Sequence, residues 1–276
     1  MIHCKELNKD FSTKQDLFKA LKENSKEIIS LKKSQVYKSV EKDRALSVRS
    51  KKLDVSKVSN EATKEMFSDD NYYYIAVNTT GILDSHGDLH VKGIWNKTAK
   101  EQNKRNYLVD THVMSINTTI ARKEYVEMFV AEIPFSMVGK DYEGNTEALI
   151  YKIPKDKVIN QLAKEWLDSG DDIEASVRMK YVTVELAFNS DDSDDEVYKR
   201  TYDKYVNQVA NKNDFESLDY FWVVKEAKNE GESSLVLNGS NSATGQLQEN
   251  KIEPSKDTQE TKEAVKVDTS HDYLLI

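Results

Sequence analysis

A chain of 276 residues is long enough for one sizeable folded domain with appended segments, but with 38% hydrophobic and 32% charged residues it cannot bury all of them. No apolar run reaches the roughly 18 residues that a membrane-spanning helix needs, and no signal-peptide pattern precedes the first polar residues. The net charge of −8 argues against a nucleic-acid-binding surface over the whole chain, and the single cysteine, Cys4, excludes an internal disulfide.

The first segment, residues 1–65, has the pattern of a helix without the apolar content of a separate core. Ser12 and Gln15 have the spacing of a capping box at a helix start. We therefore expect a helical N-terminal extension, which either packs on the main domain or serves as a docking arm for a scaffold or shell protein. The apolar positions that follow at near-heptad spacing, too few for a coiled coil, are Leu17, Leu21, Ile28 and Leu31.

Residues 66–245 have the pattern of the main domain. A helix is predicted over about Lys155–Ser169, because Pro154 stands at its start and Gly170 just past its end. Short runs of aromatic and branched residues predict strands, and several strands with few helices predict an α+β domain dominated by antiparallel sheet. The predicted strands are Tyr72–Val77, Tyr125–Ile133, Ala148–Ile153, Ile173–Phe188, Phe221–Val224 and Ser233–Leu237. The apolar face of the predicted helix is Val158, Ile159, Leu162, Ala163, Trp166 and Leu167.

Two segments are too polar for the core. Residues 189–220 are predicted to be a charged surface insertion with some helix around Val197–Val209. Residues 246–276 have almost no apolar anchor and are predicted to be a disordered tail. The tail finishes in the apolar run Tyr273–Ile276, which is either a docking peptide or part of a segment that the protein removes from itself.

The predicted strand around Ser176 is the best candidate for a catalytic element. Its residues alternate with a period of two, so Ser176 is expected on the polar face, opposite the core. A nucleophilic serine must be accessible to substrate and held on a rigid element, and this position is predicted to meet both needs. The apolar positions of the alternation are Ile173, Ala175, Val177, Met179 and Tyr181.

A serine nucleophile needs an adjacent base, and His112 is the candidate. It follows the apolar stretch Tyr107–Val109, as expected for a strand end facing a site, whereas His3 and His271 lie in predicted tails. The base needs in turn an acidic group that fixes its tautomer. Asp110 is a local candidate, because it would share a face with His112 in an extended segment.

A metal site is the competing interpretation of the histidines. Asp84, His86, Asp88 and His90 alternate, so an extended segment would present four ligand types on one face. With His112 they could form a hydrolytic metal centre. The spacing matches no strict metal motif, and the glycine between His86 and Asp88 weakens a strand.

Four segments follow one another along the chain: Asp84–Trp95, Val109–Val113, Ile173–Tyr181 and Gly231–Thr244. They contain, in this order, a D-x-x-G-D turn, a histidine, a serine on a strand and an E-x-S-L-V strand. This order resembles that of the tailed-phage prohead (procapsid maturation) proteases, which are serine peptidases related to the herpesvirus assemblins. The resemblance covers about residues 70–245. It implies that the sheet closes into a β-barrel surrounded by helices, and that the first segment is a structural turn beside the site.

The resemblance also implies the roles of the site residues. Ser176 would be the nucleophile, His112 the acid and base, and Glu232 the acid that orients His112, with Asp110 as the rival for the third role. The chain departs from the family at Arg178, where a small residue, commonly glycine, is usual two positions after the serine. Arg178 either stabilises an oxyanion or obstructs the pocket.

The function that follows from the resemblance is limited proteolysis in an assembling viral procapsid, within the cytoplasm of the bacteriophage's host. The expected substrates are the scaffolding protein, the major capsid protein and the protease's own tails. No cofactor, membrane or specific nucleic acid is expected, and a homodimer like that of the herpesvirus relatives is left open. The alternatives are a catalytically inactive scaffold or assembly protein and a metal-dependent hydrolase.

Overall fold

The computed structural model describes residues 1–37, 65–171 and 173–247. The predicted disordered tail lies outside these ranges except for Gln246 and Leu247, which belong to a strand. Within the described ranges, no helix is both long enough and apolar enough to cross a membrane.

Strands outnumber helices in the fold. The helices are α1 (Lys14–Ser34), α2 (Asn96–Gln102), α3 (Gln161–Ser169) and α4 (Glu196–Tyr205). The strands are β1 (Ile2–Cys4), β2 (Lys9–Phe11), β3 (Tyr72–Thr79), β4 (Asp88–His90), β5 (Tyr107–Asp110), β6 (Thr119–Ala121), β7 (Glu127–Pro134), β8 (Asn145–Pro154), β9 (Glu174–Phe188), β10 (Tyr220–Val236) and β11 (Gly245–Leu247).

Two sheets make up most of the structure. In the first, β10 pairs antiparallel with β9 along one edge and parallel with β4 and β5 along the other, and β6 follows β5. The second is antiparallel in the order β11-β3-β8-β7. The expected α+β class is confirmed. The expected closure into a barrel is wrong, because the strands of the described ranges form open sheets.

The first sheet depends on the continuity of β10, which the sequence pattern predicts as two separate strands. The charged stretch between Val224 and Ser233 has no apolar alternation, yet it is extended because β9 pairs with Glu226–Asn229 in its middle. Three register irregularities interrupt this pairing, and the last one includes Gly231 at a φ of 89°. A left-handed conformation is favourable only for a residue without a Cβ, so glycine permits the strand to continue past the irregularity.

The predicted helix after β8 is shorter than expected. Residues Lys155–Lys157 form one 3₁₀ turn, and α3 begins only after Asn160, whose side chain accepts the Ala163 N–H. Gly170 ends the helix in a left-handed conformation, in agreement with the prediction. Of the predicted apolar face, Val158 and Leu167 are buried and Ala163 partly so, while the other three side chains are exposed: Ile159, Leu162 and Trp166.

The N-terminal helix packs on the first sheet. Thr13, not Ser12, caps it, because the Thr13 side chain accepts the Asp16 N–H at 3.1 Å. Its apolar stripe joins the core that contains β9, with Leu31 left exposed. The described part of the extension therefore fits the first of the two alternatives, a helix packed on the domain. Its buried side chains in this core are Leu17, Phe18, Leu21 and Ile28.

An ion pair buried between α1 and the turn before β4 holds these two elements together. Lys32 Nζ lies 2.5 Å from Asp88 Oδ1, and the Tyr181 hydroxyl donates to Asp88 Oδ2 at 2.9 Å. Asp84 Oδ1 accepts the backbone N–H groups of His86 and Asp88, while Asp84 Oδ2 is buried without a partner in the described part of the chain. The expected turn is present, and the side chain of Asp84 bonds its amides.

Stability is expected to depend on the ionisation of Asp84. Burial raises the pKa of Asp84 from 3.8 to about 6, against the opposing effect of the two backbone N–H donors. Because the folded state holds the proton more tightly, this contribution to stability is present below pH 3.8 and is lost as the pH rises through about 6.

We expect Asp84→Asn to raise the free energy of unfolding at pH 8 by about 3 kcal/mol, because the pKa is raised by about two units and each unit corresponds to about 1.4 kcal/mol. The substitution keeps the oxygen that accepts the two N–H groups and removes the buried charge. Urea unfolding at pH 5 and pH 8 measures the change, with Asp70→Asn at an exposed turn as the matched control. A gain at pH 5 as large as the gain at pH 8 would contradict the prediction.

Candidate functional site

The candidate site lies where β9, β10 and β5 run side by side. Ser234 on β10 is in register with Ser176 on β9 and with Val109 on β5. Side chains of directly opposed residues project from the same face of a sheet, so Ser176 and Ser234 are neighbours. Glu232 precedes Ser234 by two residues, and its Oε2 accepts the Ser234 hydroxyl at 3.3 Å.

His112 reaches this face from a strained turn that follows β5. Thr111 and His112 have φ values of 48° and 57°. Such left-handed conformations cost about 1–2 kcal/mol for a residue other than glycine, and a β-branched threonine is especially unsuited to them. Two backbone hydrogen bonds hold the turn, from the Thr111 N–H to Leu235 O and from the Val113 N–H to Asp110 O, each at 3.1 Å. Strain of this kind is retained where surrounding contacts fix it, and it is concentrated at functional sites.

Three polar contacts fix the position of His112. Its ring Nδ1 lies 2.8 Å from Glu232 Oε1, and its backbone N–H donates to Ser234 Oγ at 2.6 Å. Because Ser234 also donates to the second oxygen of Glu232, the contacts form a closed ring through the three residues. The side chains of His112 and Glu232 are 2% and 0% exposed, so water competes little for these bonds.

The arrangement selects one tautomer of His112. An ionised Glu232 can only accept, so Nδ1 carries the proton and a neutral ring has its lone pair on Nε2. Nε2 is buried, and no polar atom of the described residues bonds it. An unpaired buried polar atom costs about 1–3 kcal/mol, so it calls for a functional reason. A nitrogen with a free lone pair is what a general base requires.

Ser176 is close to this arrangement but not joined to it. Directly opposed residues have Cβ atoms about 4.5–5.5 Å apart, so Ser176 lies one strand spacing from the Ser234 hydroxyl that bonds His112. Among the hydrogen bonds of the described ranges, none connects the Ser176 hydroxyl with His112. Unliganded sites often have long catalytic contacts that shorten only when substrate binds.

The prediction that Ser176 stands on a solvent-facing side of its strand is wrong. Ser176 is only 5% exposed, and its neighbours Ala175 and Val177 are buried as well. The chain after β10 turns back over the start of β9, where the Thr244 hydroxyl donates to Ala175 O at 2.6 Å and accepts its N–H at 3.1 Å. A period of two indicates which residues share a face, but it does not show whether that face is exposed in the folded protein.

The structure separates the two rivals for the third site residue. Glu232 contacts the His112 ring, whereas Asp110 ends β5 with its backbone N–H on Thr118 O at 2.8 Å. Asp110 is in register with Leu235, next to Ser234 along β10. Arg178 is half-buried on β9, opposite the irregularity of β10 that includes Gly231.

The four alternating residues of the metal interpretation do not converge. The described residues contain no group of three or more histidine, cysteine, aspartate or glutamate side chains that could hold a metal ion. Asp88 contacts Lys32 and Tyr181, as described above. His90 Nδ1 lies 3.1 Å from Asn78 Oδ1, and burial lowers the pKa of His90 to about 3. These side chains form part of the buried network that joins α1 to the sheet.

Ser234 is the site residue that the sequence reasoning missed. It accepts the His112 backbone N–H and donates to Glu232, so it acts as a positioning residue. A signal was present, since a polar side chain two residues after Glu232 in an extended run shares its face. The fold that brings the backbone of His112 onto this hydroxyl could not be derived from that spacing.

We expect Ser234→Ala to lower the free energy of unfolding by about 1–3 kcal/mol and to loosen the His112 ring, because a buried N–H and a carboxylate oxygen each lose their partner. NMR of the imidazole nitrogens should show a changed or exchange-broadened Nδ1–H signal. Ser233→Ala is the matched control, because Ser233 bonds Tyr151 instead and should leave the His112 signals unchanged. Identical imidazole spectra for Ser234→Ala and the native chain would contradict this role.

Comparison of the chain with protein-family models, with curated proteins and with solved structures found no match.

Proposed function

We propose that the chain is a serine endopeptidase in which Ser176 is the nucleophile, His112 the acid and base, and Glu232 the acid that orients His112. The observation that carries the proposal is the contact of 2.8 Å between His112 Nδ1 and Glu232 Oε1, with Nε2 unpaired among the described residues. An imidazole held by a carboxylate on one nitrogen and free on the other is suited to take a proton from a serine hydroxyl.

The proposed reaction proceeds in two halves. Ser176 Oγ attacks the scissile carbonyl carbon while His112 Nε2 accepts the hydroxyl proton, and Glu232 stabilises the resulting imidazolium. The same proton is then delivered to the leaving amine, which breaks the peptide bond and leaves an acyl ester on Ser176. A water molecule, deprotonated by His112, hydrolyses this ester and restores the serine.

The contacts around His112 support this use of the ring. Its backbone is fixed through Ser234 and its Nδ1 through Glu232, so the ring does not have to be reoriented during proton transfer. Arg178 lies two residues beyond Ser176 on the same strand. In the proposal its guanidinium stabilises the negative charge that develops on the carbonyl oxygen.

We further propose that the biological reaction is the maturation of a viral procapsid. The support is the order of the four segments that resembles the prohead proteases, together with the meeting of His112 and Glu232 in space. The substrates would be the scaffolding protein, the major capsid protein and the tails of the chain itself. Proteolysis would take place inside the procapsid, in the cytoplasm of the host.

The second candidate is an inactive scaffold or assembly protein of the same descent. It is favoured by the burial of Ser176, which is 5% exposed, and by the missing hydrogen bond between its hydroxyl and His112 among the described contacts. A peptide chain reaches Ser176 only if the residues that bury it move. The two candidates therefore differ in whether Ser176 reacts.

We expect the native chain, incubated with a capsid protein that carries its scaffold segment, to produce discrete truncations that Ser176→Ala does not produce. Intact-mass spectrometry over time would measure the products of both chains. Ser217→Ala, at an exposed loop serine, is the control and should cleave like the native chain. Stable masses for the native chain, with the fold intact and the partner present, would favour the scaffold candidate.

The third role is tested by two amide substitutions. We expect Glu232→Gln to slow cleavage about 1,000- to 10,000-fold, because the amide no longer enforces the productive tautomer of His112. Asp110→Asn should change the rate less than about threefold, since its side chain does not contact the ring. Initial rates on one fluorogenic peptide, taken from a mapped cleavage site, give both numbers. The reverse order of effects would assign the role to Asp110.

A further inference from the structure

Helix α3 exposes an apolar face that nothing in the described part of the chain covers. Leu162 and Trp166 stand one turn apart and are 76% and 40% exposed, and Ile159 before the helix is exposed as well. We call these three side chains the α3 apolar face. The other two tryptophans, Trp95 and Trp222, are completely buried. Large apolar side chains grouped on one side of a helix indicate a surface that binds an apolar partner.

The exposed apolar surface continues toward the loop after His112. The Ile159 N–H donates to Ile120 O at 2.9 Å, which places the start of α3 beside β6. The loop that precedes β6 exposes three further apolar side chains in the six positions after His112. They are Val113, Met114 and Ile116.

The last described strand, β11, lies near the segment that follows the C-terminal end of α3. Leu247, its last residue, is in register with Tyr74 on β3, and the hydroxyl of the adjacent Tyr73 donates to Asp168 in the last turn of α3. Gly245 packs on the segment just after the helix so closely that a Cβ there would lie 2.4 Å from Ile173 O. The chain beyond Leu247 therefore leaves from the strand next to β3, which contacts the last turn of α3 through Tyr73.

We propose that the run Tyr273–Ile276 of the same chain binds the α3 apolar face. It consists of an aromatic and three branched aliphatic residues after a polar stretch, and it follows Leu247 by 26 positions. Twenty-six residues can span an average distance of about 28 Å even without extended structure, against a length of about 14 Å for the nine residues of α3. Such a tether gives a local concentration in the millimolar range, so even a small apolar contact would be well occupied.

The α3 apolar face lies outside the constellation of Ser176, His112 and Glu232. The proposed contact is therefore independent of the proposed proteolysis, and its test must not depend on activity. Ser176→Ala is used as the background in every sample, so that the tail stays attached even if the native chain cleaves itself.

The test measures the accessibility of Trp166 to acrylamide by fluorescence, because the other two tryptophans are shielded in the core. The test variant carries Leu274→Ser, Leu275→Ser and Ile276→Ser, and the matched control carries Val265→Ser and Val267→Ser in the same tail. We expect at least a twofold larger quenching constant for the test variant and no change for the control. A synthetic peptide of residues 268–276, added at millimolar concentration, should restore the protection. Trp166→Phe should remove the quenchable signal.

Equal quenching constants for the background chain and the test variant would overturn the proposal. Protection that rises with protein concentration from 1 to 100 μM would overturn it as well, because a second copy of the chain would then be the occupant. Circular dichroism of each variant establishes that the fold is kept. Protection that is independent of concentration and is lost only in the test variant would support binding within one chain.

Discussion

The pairing of β9 with β10 is the interaction on which the rest of the structure depends. β10 has 17 residues and β9 has 15, and they pair from the first residue of β10 to its last. β4 and β5 are held on the opposite edge of β10, and α1 packs its apolar stripe against the core that β9 contributes to. A one-residue change of register between β9 and β10 would move Ser176 away from Ser234 and would turn it to the other face of the sheet.

Charge burial follows from this architecture. Glu232, Asp84 and Asp88 belong to segments that the sheet draws into the interior, where an unpaired charge is costly. Each is compensated differently: Glu232 by His112 and Ser234, Asp88 by Lys32 and Tyr181, and Asp84 by two backbone N–H groups. Only the first of these arrangements leaves a ring nitrogen free for proton transfer, which distinguishes a candidate catalytic pair from an ion pair that holds elements together.

The candidate site combines strain with precise positioning. Thr111 and His112 adopt left-handed backbones that neither side chain favours, and the bonds to Leu235 and Ser234 keep them there. The same contacts leave His112 Nε2 without a hydrogen bond among the described residues, and Ser176 is buried on the neighbouring strand.

The sequence by itself determined the α+β class, most of the strands and the end of α3 at Gly170, and it singled out Ser176 and His112 as candidates. These features depend on local periodicity, on turn chemistry and on the order of short motifs, all of which are visible along one chain. It did not reveal the continuity of β10, the parallel pairing with β4 and β5, the open sheets or the exposure of Trp166.

Only the tertiary structure decided which acid contacts His112 and which side of β9 is covered. Both depend on segments far apart in the chain, because Glu232 lies 120 residues from His112, and Thr244 lies 69 residues from Ala175. The metal interpretation failed for the same reason. Alternation in Asp84–His90 shows which side chains share a face. In the fold, however, Lys32 and Tyr181 bond Asp88 and Asn78 bonds His90, and all three partners come from other elements. Local spacing shows which side chains share a face of one strand. The partner of a buried polar group is set by the strands and helices that pack against it.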